Sequence, residues 1–218
     1  LDEYNSFKNP ITAYAKTKYE AEKKILKMNG NNFLTVALRP ATVFGYSPRF
    51  RADIVYNNLI LSGLKNKKIE IKSDGTPIRP ILHINDLCNV IYQSLKYHKK
   101  NKIYGKCFNV GYPGGNYTVK ELAVAASKVL NDCKIIYSKN PNKDERTYSI
   151  SFKRLKKNFK NINLKVDLIY QGKKMINIFK KTKSIKKLSN KKITIRLVKL
   201  KNLQKQGKID KDLKLINE

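Results

Sequence analysis

No apolar run in this chain approaches the ~18 residues needed to cross a membrane, and the first residues lack the charged, apolar and small-residue pattern of a secretory signal. A membrane-spanning or exported chain is therefore not expected, and a cytoplasmic one is. Cysteine is scarce. Cys88, Cys107 and Cys133 are odd in number, far apart and without metal-ligand spacing. That excludes a disulfide framework or a zinc-type site and reads as buried, reduced thiols. Acidic residues are also few, 16 against 47 Lys and Arg, for a formal net charge of +31. Such a balance invites a nucleic-acid partner, but the lysines are spread over almost every segment and form no single stripe with interleaved aromatics. They read as solvated faces in a chain biased toward Lys, Asn and Ile. A polyanion binder remains the weakest of three readings. What the chain does have is 218 residues and 41% hydrophobic content, enough for a good-sized core.

One stretch organises the rest: Asn9-Pro10-Ile11-Thr12-Ala13-Tyr14-Ala15-Lys16-Thr17-Lys18-Tyr19-Glu20-Ala21-Glu22. Pro10 suits a helix entry, and Thr12 can cap the helix by accepting from a free backbone N–H. Tyr14 and Lys18 are then neighbours on one face, with Cβ atoms roughly 5–6 Å apart. A phenol titrates near 10, so acting as a base near neutral pH takes a drop of roughly 3 units, or about 4 kcal/mol. An ammonium at ~4 Å supplies about 1 kcal/mol in water but about 4 at an effective dielectric near 20. Such a pair works only in a closed, partly dry site. The bare spacing is not evidence, because Tyr4/Lys8, Tyr19/Lys23, Tyr92/Lys96 and Tyr170/Lys174 share it.

Along the chain, 13–28 reads as a helix with Ala21, Ile25 and Leu26 facing the core, ended by Asn29-Gly30-Asn31. Phe33 to Leu38 suits a buried parallel strand, followed by a loop from Pro40 to Pro48 at the strand end where open α/β sheets hold ligands. A helix over 54–64, a strand over 69–72, a turn at Ser73-Asp74-Gly75 and a strand over 81–84 follow. Asp86 caps a helix to about Tyr97. Lys106 to Val110 is a strand. Gly111, Gly114 and Gly115 after it have the wrong spacing for a dinucleotide fingerprint and read as a plain turn. Thr118-Val119-Lys120-Glu121 is a capping box opening a helix to about Leu130, and Lys134 to Tyr137 is a further strand. Leu155, Phe159, Ile162 and then Leu168, Ile169, Met175, Ile178 and Phe179 mark two amphipathic helices. Lys180 to Lys192 is a basic connector, and the rest reads as a loosely packed tail. His83, on a buried strand before a helix, reads as a satisfied core histidine.

The surroundings of Tyr14, Asn-Pro-x-x-x-Tyr-x-x-Thr-Lys-x-x-x-Glu, resemble the active-site helix of the NAD-dependent epimerase/dehydratase family, the extended short-chain dehydrogenases that modify nucleotide sugars. Leu38-Arg39-Pro40-Ala41-Thr42-Val43-Phe44-Gly45, Arg79-Pro80-Ile81-Leu82-His83-Ile84-Asn85-Asp86-Leu87, Phe108-Asn109-Val110-Gly111 and Arg146 continue the resemblance in order, to about residue 180. It implies an α/β fold: later strands and helices of an incomplete Rossmann-type doubly wound sheet, with a smaller C-terminal substrate-binding α/β region. Residues 1–50 would carry the dinucleotide-binding sheet and the Tyr-Lys helix, 51–180 the substrate-binding region with the remaining sheet, and 181–218 a basic tail. By the same resemblance Tyr14 is the general base/acid at a sugar hydroxyl, and Lys18 lowers its pKa and holds the nicotinamide ribose. Pro40, Ala41 and Val43 close on the nicotinamide, with NAD as cofactor and NADP left open. Thr42, Asn57, Arg79 and Arg146 contact a nucleotide-diphosphate sugar, the last two as diphosphate clamps. Thr42 stands where galactose-epimerase relatives often carry asparagine, which weakens that particular assignment. Among the scarce arginines, Arg39, Arg49 and Arg51 also fall in or beside these motifs, and a guanidinium grips phosphate bidentately.

The implied chemistry is hydride transfer between a sugar carbon and NAD, assisted by the Tyr/Lys pair, leading to epimerisation, dehydration or reduction. Starting at Leu1 in mid-motif, the chain reads as a fragment without the Gly-rich first strand-turn-helix and without the upstream serine or threonine of the catalytic trio. It is expected not to turn over unaided. A non-catalytic binding protein of the same fold is the second reading. Pairing of helices between two subunits, common in that family, is left undecided by the spacing.

Overall fold

The computed structural model describes residues 1–6, 9–96, 102–138, 147–159, 162–165, 167–181 and 194–216. In chain order its elements are α1 (Ala13–Lys27), β1 (Val36–Pro40), β2 (Thr42–Phe44), α2 (Val55–Asn66), β3 (Lys68–Ile71), β4 (Ile78–His83), α3 (Ile84–Lys96), β5 (Lys106–Val110), β6 (Asn116–Thr118), α4 (Val119–Val129), β7 (Lys134–Tyr137), α5 (Lys153–Asn158), α6 (Leu168–Lys181) and α7 (Arg196–Lys205). The class is α/β. Among the described residues the strands form three small sheets, β1-β5, β2-β4-β6 and β3-β7. The chain divides into two compact units: one from Leu1–Val43, Pro77–Thr118 and Asp144–Val166, the other from Phe44–Thr76, Val119–Lys143 and Asp167–Glu218.

In the first unit β1 and β5 run parallel, from Val36 opposite Lys106 to Pro40 opposite Val110. Ala41 prolongs the pairing by donating its N–H to the Val110 carbonyl at 2.8 Å. β4 is antiparallel to β6, with Arg79 opposite Tyr117. Leu82, Val90, Phe108, Val110, Phe152 and Phe159 form the buried centre. Phe108 and Phe159 meet edge to face at 5.3 Å between ring centroids, a favoured arrangement of ring quadrupoles. Gly111 must be glycine here, because a Cβ would lie 2.4 Å from the Phe152 ring.

Several expectations need correction in this unit. β1 begins at Val36 and is half-buried, while Phe33 and Leu34 stay exposed. Phe33 pairs with Gly30 in a bridge of its own, and that bridge withholds it from the strand. Residues 42–44 of the expected loop form β2, because they pair beside β4. β4 starts at Ile78, earlier than expected. Asp86 lies inside the first turn of α3, not ahead of it. The residue just before α3 is His83, whose Nδ1 accepts from the Asn85 N–H at 3.3 Å. It is a cap made from a ring nitrogen, and His83 is buried and satisfied as expected. α1 forms where expected, but none of its residues is buried, and Ala21 and Ile25 point away from any core. The side that meets β1 is instead the half-buried stripe Ala15, Tyr19, Glu22 and Leu26.

In the second unit β3 and β7 run parallel, from Lys68 opposite Lys134 to Ile71 opposite Tyr137. α2 and α4 contact β3, and α6 packs on α4. Glycines permit the close approach: a Cβ on Gly63 would lie 2.4 Å from Leu130, and one on Gly172 2.7 Å from Val129. Phe50 meets Phe179 edge-on, Phe44 meets Tyr56, and the Tyr56 hydroxyl donates to the Leu168 carbonyl at 2.7 Å. α4 opens at Val119, where the Lys120 N–H donates to the Gly75 carbonyl at 2.9 Å. α6 is the second of the two expected amphipathic helices; of the first, only the short α5 forms, in the other unit, ending at Asn158 before Phe159 and Ile162. The tail contains a helix, α7, with no buried residue. Most of the basic connector lies outside the described residues.

Candidate active site

α1 starts where the sequence chemistry says it should. Thr12, in extended backbone, accepts from the Ala15 N–H at 3.1 Å, which satisfies one of the donors a helix start leaves free. The helix then presents Tyr14 and Lys18 on one face, with the Lys18 ammonium 5.9 Å from the Tyr14 ring centroid. The face is open, and Tyr14 is 72% exposed. Lys23 over Tyr19 and Lys96 over Tyr92 stack in the same way, at 5.1 and 4.4 Å. Pair geometry alone therefore does not single out Tyr14.

α1 is fixed on β1 by Glu22, which takes both Nε and Nη2 of Arg39 in a fork-to-fork pair. The hydrogen bonds that Arg39 donates to Glu22 raise the Arg39 pKa, and its partial burial works against that. Arg39 is thus engaged by a carboxylate of its own chain, as Arg51 is by Asp53. The Arg51 hydrogen bonds hold the Asp53 carboxyl below the usual carboxylate range. Beyond β1, Pro40 is exposed, Ala41 is buried, and Thr42 and Val43 are half-buried in β2. Arg79, on β4, donates from Nη1 to the Ile78 carbonyl at 2.8 Å. Arg146 lies outside the described residues.

Asn57 is 2% exposed, and both ends of its amide are occupied. Oδ1 accepts from the Gly45 N–H and Nδ2 donates to the Arg51 carbonyl, each at 3.0 Å. Gly45 adopts φ 120, a conformation that favours glycine. Asn57 thereby pins both ends of the 45–51 loop.

A model of the family described as "NAD dependent epimerase/dehydratase family" matches residues 1–111, just over half of the chain. The chain belongs to the NAD-dependent epimerase/dehydratase family. Solved structures agree in fold. The UDP-glucuronic acid 4-epimerase of Bacillus cereus, solved with UDP-glucuronic acid and NAD, superposes with a TM-score of 0.67 at 21% identity, over 82% of this chain and 56% of that one. The dTDP-glucose 4,6-dehydratase of Bacillus anthracis, solved with NAD, gives 0.66 at 21% identity, over 83% and 56%. An epimerase of Methanothermobacter thermautotrophicus gives 0.70 at 18%, over 86% and 57%. The chain therefore spans a little over half the length of these structures. The partial Rossmann-like architecture expected from the sequence is the one they share.

Within this family member, three supporting residues went unread in the sequence. Glu3 is buried and accepts from the Asn109 N–H at 2.8 Å. Arg154 lies between the rings of Tyr4 and Phe108, at 3.9 and 4.9 Å from their centroids. Together they hold the segment that leads into α1 against β5. Tyr112, third, donates to Asp86 and accepts from the His83 N–H. Only Glu3 carried a signal, as an acid in a chain with few.

Proposed function

We propose that this chain is the part of an NAD-dependent nucleotide-sugar epimerase, dehydratase or reductase that carries the proton-transferring pair and part of the substrate contacts. The observation that carries the reading is Tyr14 and Lys18 side by side on an open, Thr12-capped helix face, in a chain of this family. The donor set suits the cofactor: a phenol O–H and an ammonium with three N–H donors match the hydroxyls of a ribose. When bound, NAD supplies the reversible redox chemistry at the sugar carbon.

The chain's own residues do the rest. Tyr14 takes the proton of a sugar hydroxyl and returns it in the reverse direction. Lys18 stabilises the phenolate by its charge and holds the ribose. Its leverage grows from about 1 to about 4 kcal/mol as the site loses water, so cofactor and substrate must cover the exposed face before the base is competent. Pro40, Ala41 and Val43 border the nicotinamide; Thr42, Arg79 and Arg146 meet the sugar diphosphate. Asn57 serves the substrate by holding the 45–51 loop through its two backbone bonds.

The test is Tyr14→Phe in the full-length protein, assayed with NAD and a panel of UDP-glucose, UDP-glucuronic acid and dTDP-glucose. Turnover is expected to fall about 10²–10⁴-fold, the usual contribution of a positioned acid–base group. The unfolding midpoint should not move, because the phenol is exposed. Undiminished turnover would remove the catalytic reading.

A further inference from the structure

In the second unit the C-terminal ends of α2 and α4 and one side of α6 border a cavity of about 490 Å³ that is open to solvent on one side, within the ~300–1,000 Å³ of ordinary small-ligand sites. Its walls divide by chemistry. Leu64, Val129, Leu130 and Ile176 supply an apolar floor, and Lys67, Lys173 and Lys180 bring three ammonium groups. No acidic residue lines it, and among the described residues none of the three lysines is in an ion pair. Lys173, Ile176 and Lys180 fall on one stripe of α6, three and four residues apart. The two helix ends contribute about half a negative charge each, and Asp132, between the lining Asn131 and Cys133, one more; three ammonium groups still leave the balance positive.

The backbone is unusual at the same place. Four described residues other than glycine have positive φ; two of them, Lys67 and Asn131, line the cavity, and a third, Asp132, follows Asn131 in the chain. L side chains rarely adopt that conformation, and such residues gather at ligand sites. The cavity is separate from the candidate substrate contacts of this unit: Asn57 is in the first turn of α2 and Lys67 closes its far end, roughly 15 Å away at 1.5 Å per residue.

We propose that this cavity binds a small amphipathic anion, an apolar body carrying a single phosphate or carboxylate group. The apolar floor takes the body and the lysines take the charge.

Cys133 lines the cavity and is partly exposed, which makes its thiol a reporter. The intact chain would be alkylated with iodoacetamide, and the rates at Cys133 and at the exposed Cys88 followed by peptide mass spectrometry. Octyl phosphate and octanoate are the probes, inorganic phosphate and octyl glucoside the charge-only and apolar-only controls. Protection of Cys133 at least fivefold and saturably, with Cys88 unchanged and both controls within twofold, is the expected result. Whichever of octyl phosphate and octanoate protects at the lower concentration identifies the head group. Lys173→Glu/Lys180→Glu, at two exposed positions, should abolish the protection without changing the circular dichroism spectrum. Failure of both anions to protect, equal protection by octyl glucoside, or protection that survives in the charge-reversed variant would each overturn the proposal.

Discussion

α1 and α2 are helices of similar length held in opposite ways. The first has 15 residues and none buried; the second has 12, of which Tyr56, Asn57, Leu59, Ile60, Leu61 and Gly63 are buried. α2 is held by its core face, packed with α4 on β3. α1 is held by a threonine cap, a glutamate–arginine fork and a half-buried stripe, while Ile11, Tyr14, Ile25 and Met28 stay exposed. The helix proposed to carry the chemistry is thus positioned by a cap at its start and by contacts along one side. Burial stabilises; exposure leaves a phenol and an ammonium reachable.

The comparison breaks most sharply at two isoleucines. Ile60 is 0% exposed and Ile25 is 41% exposed. Ile60→Ala removes buried methyl groups and leaves a cavity, costing about 2–5 kcal/mol. Ile25→Ala removes atoms already in water and should stay within about 0.5 kcal/mol. Urea unfolding of both variants checks the contrast. Equal costs would show that α1 is covered in solution.

Within the first unit, Tyr112 is as deeply buried as anything in α2, but its hydroxyl is in use, donating to Asp86 and accepting from His83. Tyr112→Phe leaves both partners short and should cost about 1–3 kcal/mol. Burial is the main cause that raises this phenol's pKa, with the hydrogen bond to Asp86 adding to it. A raised pKa in the folded state means that the neutral phenol's stabilisation is whole below the unfolded value near 10 and is lost as pH rises above it. The advantage of the parent over Tyr112→Phe should therefore shrink steadily as pH rises above about 10. Chemical unfolding at pH 7 and at alkaline pH measures it.

How much of this was legible follows from which forces act locally. The capped start of α1, the strand Lys106–Val110 and the amphipathic helix Leu168–Lys181 were readable, because caps and periodicity depend on neighbours in sequence. The partners of arginine were not. Arg39 looked like a phosphate grip and is paired with Glu22, 17 residues away. Arg154, unread in the sequence, is inserted between Tyr4 and Phe108. The orientation of α1 was misread for a related reason. Its Ala21–Ile25 side and its Ala15–Tyr19–Leu26 side are both apolar enough to face a core, and only the position of β1 and Arg39 decides between them. For the site, the sequence located Tyr14 and Lys18 on one face, but it could not show that the amide of Asn57 is taken up by Gly45 and Arg51.

The smallest effect tests the idea that α1 depends on its end. Thr12 accepts from the Ala15 N–H, and replacing a threonine cap by alanine costs a helix typically about 1 kcal/mol. In α2 such a loss would be masked, since the helix cannot open without exposing its core. In α1, with no buried residue, the first turn can open alone. Thr12→Ala should therefore leave the global unfolding midpoint nearly unchanged. Hydrogen exchange of the amides at the start of α1 should speed up about fivefold, which is what 1 kcal/mol of local opening amounts to. Tyr14 lies in that turn and Lys18 in the next, so the same opening loosens the pair before any other part of the molecule responds. Exchange at the α1 start that stays at the parent rate would mean that contacts with β1, rather than the cap, hold the Tyr14–Lys18 face in place.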